Sequence, residues 1–311
     1  MSPVESIKTD ILIVGSGAAG MSAAAAASAL DVNVIVTDDR DVPGGVLRQC
    51  VHNGFGIGRY GKEMTGPEYS EEEFRRLSDS SAVYMPGCRV LSLRSDRTAL
   101  VSCSGGLKRI SFEMCILATG CTERSLWSLP VTGTRPEGIY TAGEAQEMIE
   151  LGGYDIGSTI FILGSGDIGQ IMARRFVQLG KTVIGMAEKN DHPGGMKRNQ
   201  EECVKAYGIP VILRSTVTQV HGFPHLKGVT LHHIDSGADE LIECDTLITA
   251  LGLEPDRSLA ECLKTEEGYP EWLYFCGNAD FVHEIADSAS AQGEKLGSKL
   301  AGRLVNSRKE V

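Results

Sequence analysis

Glycines at three fixed positions near the start of the chain could bind a phosphate group. Gly15, Gly17 and Gly20 form the pattern G-x-G-x-x-G between an apolar run and an alanine-rich stretch. In this pattern the first glycine permits a tight turn, the second lets a pyrophosphate approach the backbone, and the third lets a helix pack closely on a sheet. Asp38 follows at the end of the next apolar run, where a carboxylate can accept hydrogen bonds from a ribose diol. These residues predict a dinucleotide site at the N-terminal end of a helix.

The same arrangement occurs a second time. Gly164, Gly166 and Gly169 fill the motif, and Glu188 takes the place of the acid. The octapeptides DDRDVPGG and EKNDHPGG begin at the two acids and place a Gly-Gly pair at the same distance from each. Two copies predict two bound dinucleotides, or one dinucleotide and a relic site.

The second acid indicates which nicotinamide dinucleotide would bind. Glu188 would repel a 2′-phosphate and accept a hydrogen bond from a 2′-hydroxyl, so it favours NAD(H) over NADP(H). Three basic residues nearby weaken this preference: Lys189, Lys197 and Arg198.

Cys50 and His52 are the side chains that could add further chemistry. A histidine two residues from a thiol could lower its pKa and make a thiolate or a proton-transfer pair. The alternative is a buried structural cysteine beside a histidine that bonds to backbone, because most free cysteines are inert. The sequence leaves both open.

The cysteines form no local pair. There are nine in the chain, and none stands in a C-x-x-C motif. This pattern suits a reduced cytoplasmic chain better than a disulfide framework or a zinc site, and it predicts no metal.

The elements that must position these residues can be read from the apolar runs. Residues 8–39 and 158–190 each give a strand, a turn, a helix and a strand. The similar segments 113–124 and 245–256 are each a buried strand followed by a small-residue turn, and they flank the second unit. We therefore expect an α/β protein with two Rossmann-like dinucleotide-binding domains, the second inserted in the first. The expected boundaries are 1–123 with 253–311 for the first domain, and 124–252 for the second.

The charge of the chain restricts the kinds of partner that it is expected to bind. The formal net charge of −11 argues against binding to nucleic acid or an anionic membrane. The small-residue run at 21–30 is too short to span a bilayer and lacks a basic segment before it, so we expect neither a transmembrane helix nor a signal peptide.

The chain resembles the FAD-dependent pyridine nucleotide-disulfide oxidoreductase superfamily, which includes thioredoxin reductase and glutathione reductase, over essentially its whole length. The resemblance implies FAD in the first domain, NAD(P)H in the inserted one, and a late turn before a last helix whose start faces the flavin. Asn278 stands where the superfamily has aspartate. Leu47 and His52 stand where glutathione-reductase-like members have their cysteine pair. The 138–149 segment also lacks the pair of thioredoxin-reductase-like members, so reduction of a disulfide by the usual route is not expected.

The resemblance extends the two binding sites beyond the glycines and acids. For FAD it adds Ala18, Ala19, Asp39, Gly45, Val46, Ala118, Thr119, Gly120, Gly277, Asn278, Asp287 and Ser288. For the nicotinamide dinucleotide it adds Asp167 and Ile168. Asp287 and Ser288 would lie near the pyrimidine side of the flavin, or Asp287 would serve only as a helix cap.

A narrower resemblance suggests a partner. Strings such as 44–70, 164–175 and 276–287 are similar to a subgroup found beside a glycerol-3-phosphate dehydrogenase-like flavoprotein. That subgroup is also similar to the FAD/NAD subunits of opine oxidase, hydrogen cyanide synthase and sarcosine oxidase. The predicted function is hydride transfer between NADH and FAD, with electrons passing on to an acceptor other than a disulfide, such as a partner flavoprotein dehydrogenase. The direction of electron flow stays open, and a homo-oligomer is possible. The alternatives are a stand-alone NADH oxidase or diaphorase, and a non-catalytic flavin-binding subunit with a vestigial nicotinamide site.

Overall fold

A computed structural model describes residues 4–309 of the chain, and these form two compact units. The first unit contains the described residues up to Thr122 and those from Glu254 onward, and the second is Glu123–Leu253. These boundaries lie within one residue of those expected from the sequence. The two connecting segments, Cys121–Glu123 and Leu253–Pro255, form a two-stranded sheet.

The helices and strands within the described residues are as follows. The α-helices are α1 (Ala18–Ala27), α2 (Ile57–Tyr60), α3 (Gly66–Ser78), α4 (Ala142–Glu150), α5 (Asp167–Gln178), α6 (Lys197–Asn199) and α7 (Ala286–Lys309). The strands are β1 (Glu5–Lys8), β2 (Ile11–Val14), β3 (Val34–Thr37), β4 (Asn53–Phe55), β5 (Met64–Thr65), β6 (Val83–Met85), β7 (Arg89–Arg94), β8 (Thr98–Cys103), β9 (Gly106–Ser111), β10 (Met114–Leu117), β11 (Cys121–Glu123), β12 (Thr132–Gly133), β13 (Ile139–Thr141), β14 (Thr159–Leu163), β15 (Thr182–Ala187), β16 (Val211–Ile212), β17 (Ser215–His221), β18 (Gly228–His233), β19 (Asp239–Glu243), β20 (Thr246–Thr249), β21 (Leu253–Pro255) and β22 (Leu273–Phe275). Short 3₁₀ turns lie at Gly45–Gln49, Leu126–Ser128, Lys205–Tyr207, Ser258–Leu263 and Gly277–Ala279, and a π-helical turn lies at Gln200–Val204.

A parallel sheet forms the centre of the first unit. Its strand order is β22-β10-β2-β3-β6, and every pairing is parallel. The apolar run of β2 has no polar alternation because both sheet faces are buried. Ile11 and Ile13 join the cluster beside α1 and α7, whereas Leu12 and Val14 join the cluster on the opposite face.

Small residues let α1 and α7 pack closely. A Cβ atom added at Gly293 or Gly297 of α7 would lie 2.1 Å from the carbonyl oxygen of Ala19 or Ala23, respectively. The distance between packed helices depends on the side chains at their contact, and here backbone meets backbone. The alanine-rich sequence of α1 therefore has a packing reason as well as a helical propensity.

Each unit also contains an antiparallel layer that the sequence analysis did not predict. In the first unit the order is β1-β9-β8-β7, and in the second it is β12-β17-β18-β19. Both layers include one parallel pairing, β1 with β9 and β12 with β17. The second unit is otherwise built like the first, around a parallel sheet of order β13-β20-β14-β15-β16.

The expectation of an entirely reduced set of cysteines is wrong for one pair. Cys88 and Cys103 form a disulfide, with their Cα atoms 4.3 Å apart. Arg89 of β7 pairs with Ser102 of β8, so the two cysteines meet across the neighbouring position of an antiparallel ladder. This contact joins residues 15 apart in sequence and has no local motif. The other seven cysteines form no disulfide.

No helix within residues 4–309 combines the length and the apolar character that crossing a bilayer requires.

Candidate functional site

The first glycine-rich turn is fixed by the strand beside it. Gly15 has a φ of +104°, and a Cβ added there would lie 2.4 Å from the carbonyl oxygen of Ala118. A Cβ at Gly20 would lie 1.9 Å from the carbonyl oxygen of Gly15, so the helix starts directly against the turn. Gly17 is the N-cap of α1 and has no side-chain cap, and a Cβ there would meet nothing within 4 Å. The turn is closed toward the protein and open at Gly17, where helix N–H groups can face an anion.

Asp38 holds this turn through Ser16. Its Oδ2 accepts hydrogen bonds from the Ser16 backbone N–H at 2.6 Å and from the Ser16 Oγ at 2.7 Å. Its Oδ1 accepts one from the Arg40 N–H at 2.9 Å. A carboxylate oxygen has two acceptor positions, so Oδ1 keeps one for a ribose hydroxyl. Ser16 was not predicted as a site residue, although a serine occupies the same position in both glycine motifs.

The second turn repeats this geometry. Gly164 has a φ of +104°, and its added Cβ would lie 2.2 Å from the Ala250 carbonyl oxygen. Gly166 is the N-cap of α5, without a side-chain cap and with open space around its Cβ position. Glu188 Oε2 accepts from the Ser165 N–H at 3.2 Å and from the Ser165 Oγ at 2.6 Å. The acid and the serine thus make the same pair of bonds in both units.

The environment of Glu188 keeps it ionised. Its Oε1 accepts from the Asn190 backbone N–H at 3.0 Å and from the Asn190 Nδ2 at 2.7 Å. Burial acts to raise the pKa of the Glu188 carboxyl, but the hydrogen bonds from Ser165 and Asn190 outweigh it and the pKa is lowered. All four acceptor positions of this carboxylate are occupied, in contrast to those of Asp38.

The Gly-Gly pair after each acid lies against the glycine-rich turn. In the first unit the Gly44 N–H donates to the Ser16 carbonyl oxygen at 2.9 Å, and a Cβ at Gly45 would lie 3.5 Å from the Cα of Gly17. In the second unit the Gly194 N–H donates to the Ser165 Oγ at 2.8 Å. The octapeptide repeat noted in the sequence therefore corresponds to a repeated contact.

Additional polar contacts fasten the second turn. Gln170 Nε2 donates to the carbonyl oxygens of Ser165 and Gly194 at 2.6 and 2.7 Å, while its buried Oε1 has no partner among the described residues. Asp167 Oδ1 accepts from the Met196 N–H and from the Asn199 Nδ2, both at 2.7 Å. Asp167 thus connects the start of α5 to the segment that contains Met196 and Asn199.

The residues predicted around the turn that precedes α7 take part in a set of hydrogen bonds. Asn278 donates from Nδ2 to the Cys121 Sγ at 3.4 Å and accepts at Oδ1 from the His283 N–H at 2.9 Å. The Thr119 Oγ1 donates to the Asp256 carbonyl oxygen at 2.6 Å, and the Asp256 N–H donates to the Gly120 carbonyl oxygen at 3.0 Å. These contacts fix the Thr119–Gly120 turn and orient the Asn278 amide.

Gln292 of α7 organises the same turn and was not predicted. Its Oε1 accepts from the Gly277 N–H at 2.7 Å and faces His283 Nε2 at 2.9 Å, while its Nε2 donates to Asp280 Oδ2 at 2.7 Å. Because the Gln292 oxygen can only accept, His283 carries its proton on Nε2. No local pattern marks Gln292, since its partners lie in another segment.

Asp287 contacts a different part of the first unit. Its carboxylate accepts from the backbone N–H groups of Gly56, Gly58 and Arg59 at 3.0, 2.8 and 3.1 Å. Ser288 beside it is exposed. Contact of these two residues with a flavin stays a prediction.

A family model described as pyridine nucleotide-disulphide oxidoreductase matches residues 9–271. The chain belongs to this family. The resemblance to this superfamily inferred from the sequence is confirmed.

Among curated relatives, an opine oxidase subunit of Agrobacterium tumefaciens is 26% identical over 282 residues, 83% of this chain and 55% of that protein. The hydrogen cyanide synthase subunit HcnB of Pseudomonas aeruginosa is 24% identical over 340 residues, 94% of this chain and 69% of that protein. The chain spans about half the length of the opine oxidase subunit.

The crystal structure of T. acidophilum thioredoxin reductase matches with a TM-score of 0.78 and 21% identity, covering 96% of this chain and 99% of that one. This likeness concerns the fold, and it confirms the predicted α/β fold class with two Rossmann-like units.

Family membership implies FAD and a pyridine nucleotide, and the residues present fit both. At Gly17 and Gly166 the open Cβ positions and uncapped helix starts leave room and N–H donors for a pyrophosphate. Asp38 and Glu188 lie beside these turns through their bonds to Ser16 and Ser165.

Cys50 and His52 make local contacts. The Cys50 side chain is buried, and its Sγ donates to the Val46 carbonyl oxygen at 3.3 Å. Burial raises the pKa of the Cys50 thiol to about 12, so it is protonated at neutral pH. His52 Nδ1 lies 3.0 Å from the Asn53 carbonyl oxygen. This environment favours the structural alternative for Cys50, and a catalytic role for either residue stays a prediction.

The remaining predicted residues lie in varied surroundings. Val46 is exposed, and Asp39 pairs with Arg89 at 2.8 Å. Ile168 packs partly against the core cluster of the second unit. Within residues 4–309, no group of three or more His, Cys, Asp or Glu side chains could hold a metal ion.

Proposed function

We propose that the first unit binds FAD, that the second binds NAD(H), and that hydride passes between the two dinucleotides. The observation that carries this proposal is the repeated turn in which an acid bonds to the serine of an open G-S-G sequence. Asp38 and Ser16 make this pair in the first unit, and Glu188 and Ser165 make it in the second. One structural solution used twice supports two ligands with the same phosphate and ribose groups.

The residues have separate tasks in this proposal. The first turns of α1 and α5 offer N–H groups to the pyrophosphates, while Asp38 and Glu188 orient the adenosine riboses. Bound FAD supplies the redox chemistry by accepting and releasing electrons. The Thr119–Gly120 turn and Asn278 would hold the flavin half of FAD.

NADH is the preferred nicotinamide dinucleotide in the proposal. Glu188 is buried and ionised, so a 2′-phosphate beside it would meet an uncompensated negative charge. A 2′-hydroxyl could replace the Asn190 Nδ2 as a donor to Oε1, because the Asn190 backbone N–H supplies the other bond. Lys189 is exposed and offers the closest opposing charge in sequence.

The acceptor in the proposal is not a disulfide. Leu47 and His52 stand where a local redox pair would lie. The disulfide between Cys88 and Cys103 begins beside Asp38, whose carbonyl oxygen accepts from the Cys88 N–H at 2.7 Å. The disulfide therefore lies on the ribose side of the first turn, whereas the proposal places the flavin half of FAD at the Thr119–Gly120 turn. We propose instead a partner flavoprotein dehydrogenase of the glycerol-3-phosphate dehydrogenase type, because the relatives are named as subunits of oxidases and of a synthase. The seven cysteines that form no disulfide support a cytoplasmic setting.

A flavin-binding subunit with an idle second site is the other candidate. Two observations favour it: the acceptor positions of Glu188 are filled, and the Asp167 carboxylate lies at the start of α5, where an anionic pyrophosphate would approach. A stand-alone NADH oxidase or diaphorase would differ from both candidates by turning over without a partner.

An anaerobic titration of the FAD-loaded protein, followed by a separate turnover assay in air, distinguishes these candidates. The proposal expects NADH to bleach the oxidised-flavin bands at lower concentration than NADPH, and expects slow turnover when only oxygen is present as acceptor. Fast oxygen-dependent turnover would favour the oxidase. A flavin that stays oxidised with both nucleotides, but is bleached by dithionite, would favour the idle second site.

A further inference from the structure

Asp287 makes three backbone contacts with a segment distant in sequence. The N–H groups of Gly56, Gly58 and Arg59 all donate to its carboxylate, at 2.8 to 3.1 Å. These N–H groups belong to the start of α2, whose N-cap Gly56 has no side chain of its own to cap the helix. Asp287 therefore caps α2 from the first turn of α7, and bonds to an ionised carboxylate are stronger than neutral ones.

A second anchor holds the other end of α2. Arg59 forms ion pairs with Glu73 of α3 and, at 2.7 Å, with Glu294 of α7. Glu73 is fully buried and also accepts from the Tyr60 hydroxyl and the Ser22 Oγ, both at 2.6 Å. The short α2 is thereby tied to three longer helices of the first unit.

This anchored segment starts at the first glycine-rich turn. Gly44 bonds to Ser16 of that turn, as described above. The chain then passes through Cys50, whose carbonyl oxygen accepts from the Gly66 N–H at 2.8 Å. Between this contact and the Asp287 contacts, residues 51–55 include an exposed strand with His52 beside it.

Asp287 lies at the same end of the unit as the glycine-rich turn. Ser290, one helical turn further along α7, donates from its Oγ to the carbonyl oxygen of Ala18 at 3.4 Å. A Cβ at Gly277 would lie 2.6 Å from the Cβ of Ala19. The starts of α1 and α7 are thus adjacent, and the 44–60 segment connects them.

We infer that Asp287 is a positioning residue that fixes residues 51–60 beside the dinucleotide of the first unit. It acts through the α2 backbone, whose N–H groups its carboxylate binds. The segment then covers bound FAD against solvent and sets the position of His52. This inference rests on the proposed function, because it assumes FAD in the first unit.

The test compares Asp287→Ala, Asp287→Asn and the control Glu284→Ala in the FAD-loaded protein. Glu284 is an exposed acid in the segment just before α7. Hydrogen exchange of the 51–64 peptides measures the segment directly, and iodide quenching of flavin fluorescence measures how exposed the flavin is. Neither readout depends on turnover.

We expect Asp287→Ala to raise exchange at positions 56, 58 and 59 by roughly tenfold, the effect of losing about 1.4 kcal/mol of local protection. Iodide quenching should increase as well. Asp287→Asn keeps one acceptor oxygen and should fall between Asp287→Ala and wild type. Glu284→Ala should match wild type in every readout.

Unchanged exchange and quenching in Asp287→Ala would overturn the inference while leaving the proposed function intact. A general rise in exchange over α1, α3 and α7 would also overturn it, because it would indicate a purely structural role. If the wild-type protein binds no FAD, the proposed function fails first. The exchange data on the same protein would still report whether Asp287 fixes the segment.

Discussion

Adding a single methyl group at Gly17 should separate FAD binding from folding. Gly17 has a φ of −74° and a ψ of −173°, which alanine adopts without strain, and its Cβ would meet no protein atom within 4 Å. The Gly17→Ala substitution therefore introduces neither strain nor a clash in the ligand-free fold, and only the weaker N-cap preference of alanine counts against it. The methyl group would occupy space that a pyrophosphate needs in order to approach the backbone.

The expected effect on folding is small and the effect on binding is large. Gly→Ala at a compatible position stabilises a protein by about 0.4–1 kcal/mol by restricting the unfolded chain, and the weaker N-cap preference of alanine offsets this by about the same amount. An extra methyl group in a well-packed contact costs about 1–3 kcal/mol. That cost corresponds to roughly a 5- to 150-fold weaker FAD dissociation constant.

Two further variants complete the assay. Gly15→Ala places a Cβ 2.4 Å from the Ala118 carbonyl oxygen at a φ of +104°, so it should lower the melting temperature of the FAD-free protein. Gly166→Ala is the equivalent of Gly17→Ala in the second unit, with open space at its Cβ, and should weaken NADH binding while sparing FAD. Fluorescence titration gives the affinities, and thermal unfolding of the FAD-free proteins gives the stabilities.

Two results would refute this reasoning. Wild-type FAD affinity in Gly17→Ala would mean that no phosphate lies against the open face of the turn. A melting temperature of FAD-free Gly17→Ala that falls as far as that of Gly15→Ala would mean that the position is not open in solution.

Three further predictions concern packing, specificity and the thiol. Gly297→Ala should destabilise the protein by about 1–3 kcal/mol, because its Cβ would lie 2.1 Å from the Ala23 carbonyl oxygen. Gly302→Ala in the same helix has open space around its Cβ and should stabilise the protein by about 0.5–1 kcal/mol. Equal denaturant midpoints for the two variants would contradict the packing of α7 on α1. Glu188→Gln should reduce the preference for NADH over NADPH by roughly 10- to 100-fold, measured as the ratio of dissociation constants. An unchanged ratio would show that this carboxylate does not contact the 2′ position of the ribose. Burial raises the pKa of the Cys50 thiol from 9.0 to about 12, so the native thiol should resist iodoacetamide at pH 8 until the protein is unfolded. The contribution of this pKa shift to the free energy of unfolding should be present below pH 9 and lost as the pH rises toward 12. Mass spectrometry of the alkylated peptide checks this, and rapid native labelling would contradict it.

The parts of the fold that local sequence specifies were predictable. Gly15 and Gly164 each follow an apolar strand and precede a helix. The glycine motif and the hydrophobic pattern therefore both predict a turn at these residues. The acids Asp38 and Glu188 lie beside these turns because each directly follows a strand that pairs in parallel with the strand before the turn. Ser16 and Ser165 could have been found by comparing the two motifs letter by letter.

Contacts between distant segments could not be predicted in this way. The resemblance placed Asp287 near the flavin, which stays a prediction, but its bonds to the N–H groups of a segment far away in the sequence were not predicted. Gln292 and the pair Cys88–Cys103 were missed for the same reason. In each case the side chain's role depends on which strand or loop the tertiary fold places beside it, and no short-range periodicity records that.

The antiparallel layers were missed for a different reason. Strands β7 and β8 have six residues each; β8 alternates between buried and partly buried residues over its first four positions, and the alternation of β7 is irregular. Such short alternating runs give a weaker signal than the continuous apolar runs of β2 and β14. Their pairing becomes evident only when the sheet is assembled.

The most direct test of the two-dinucleotide account is anaerobic mixing of NADH with the FAD-loaded wild-type protein and with its Gly166→Ala variant, followed by absorbance of the oxidised flavin. The account predicts that NADH promptly bleaches the wild-type flavin and bleaches the variant only at much higher concentration, while dithionite bleaches both equally. If NADH leaves the wild-type flavin oxidised, or bleaches both proteins with the same concentration dependence, the glycine-rich turn of the second unit is not the site from which hydride reaches the flavin.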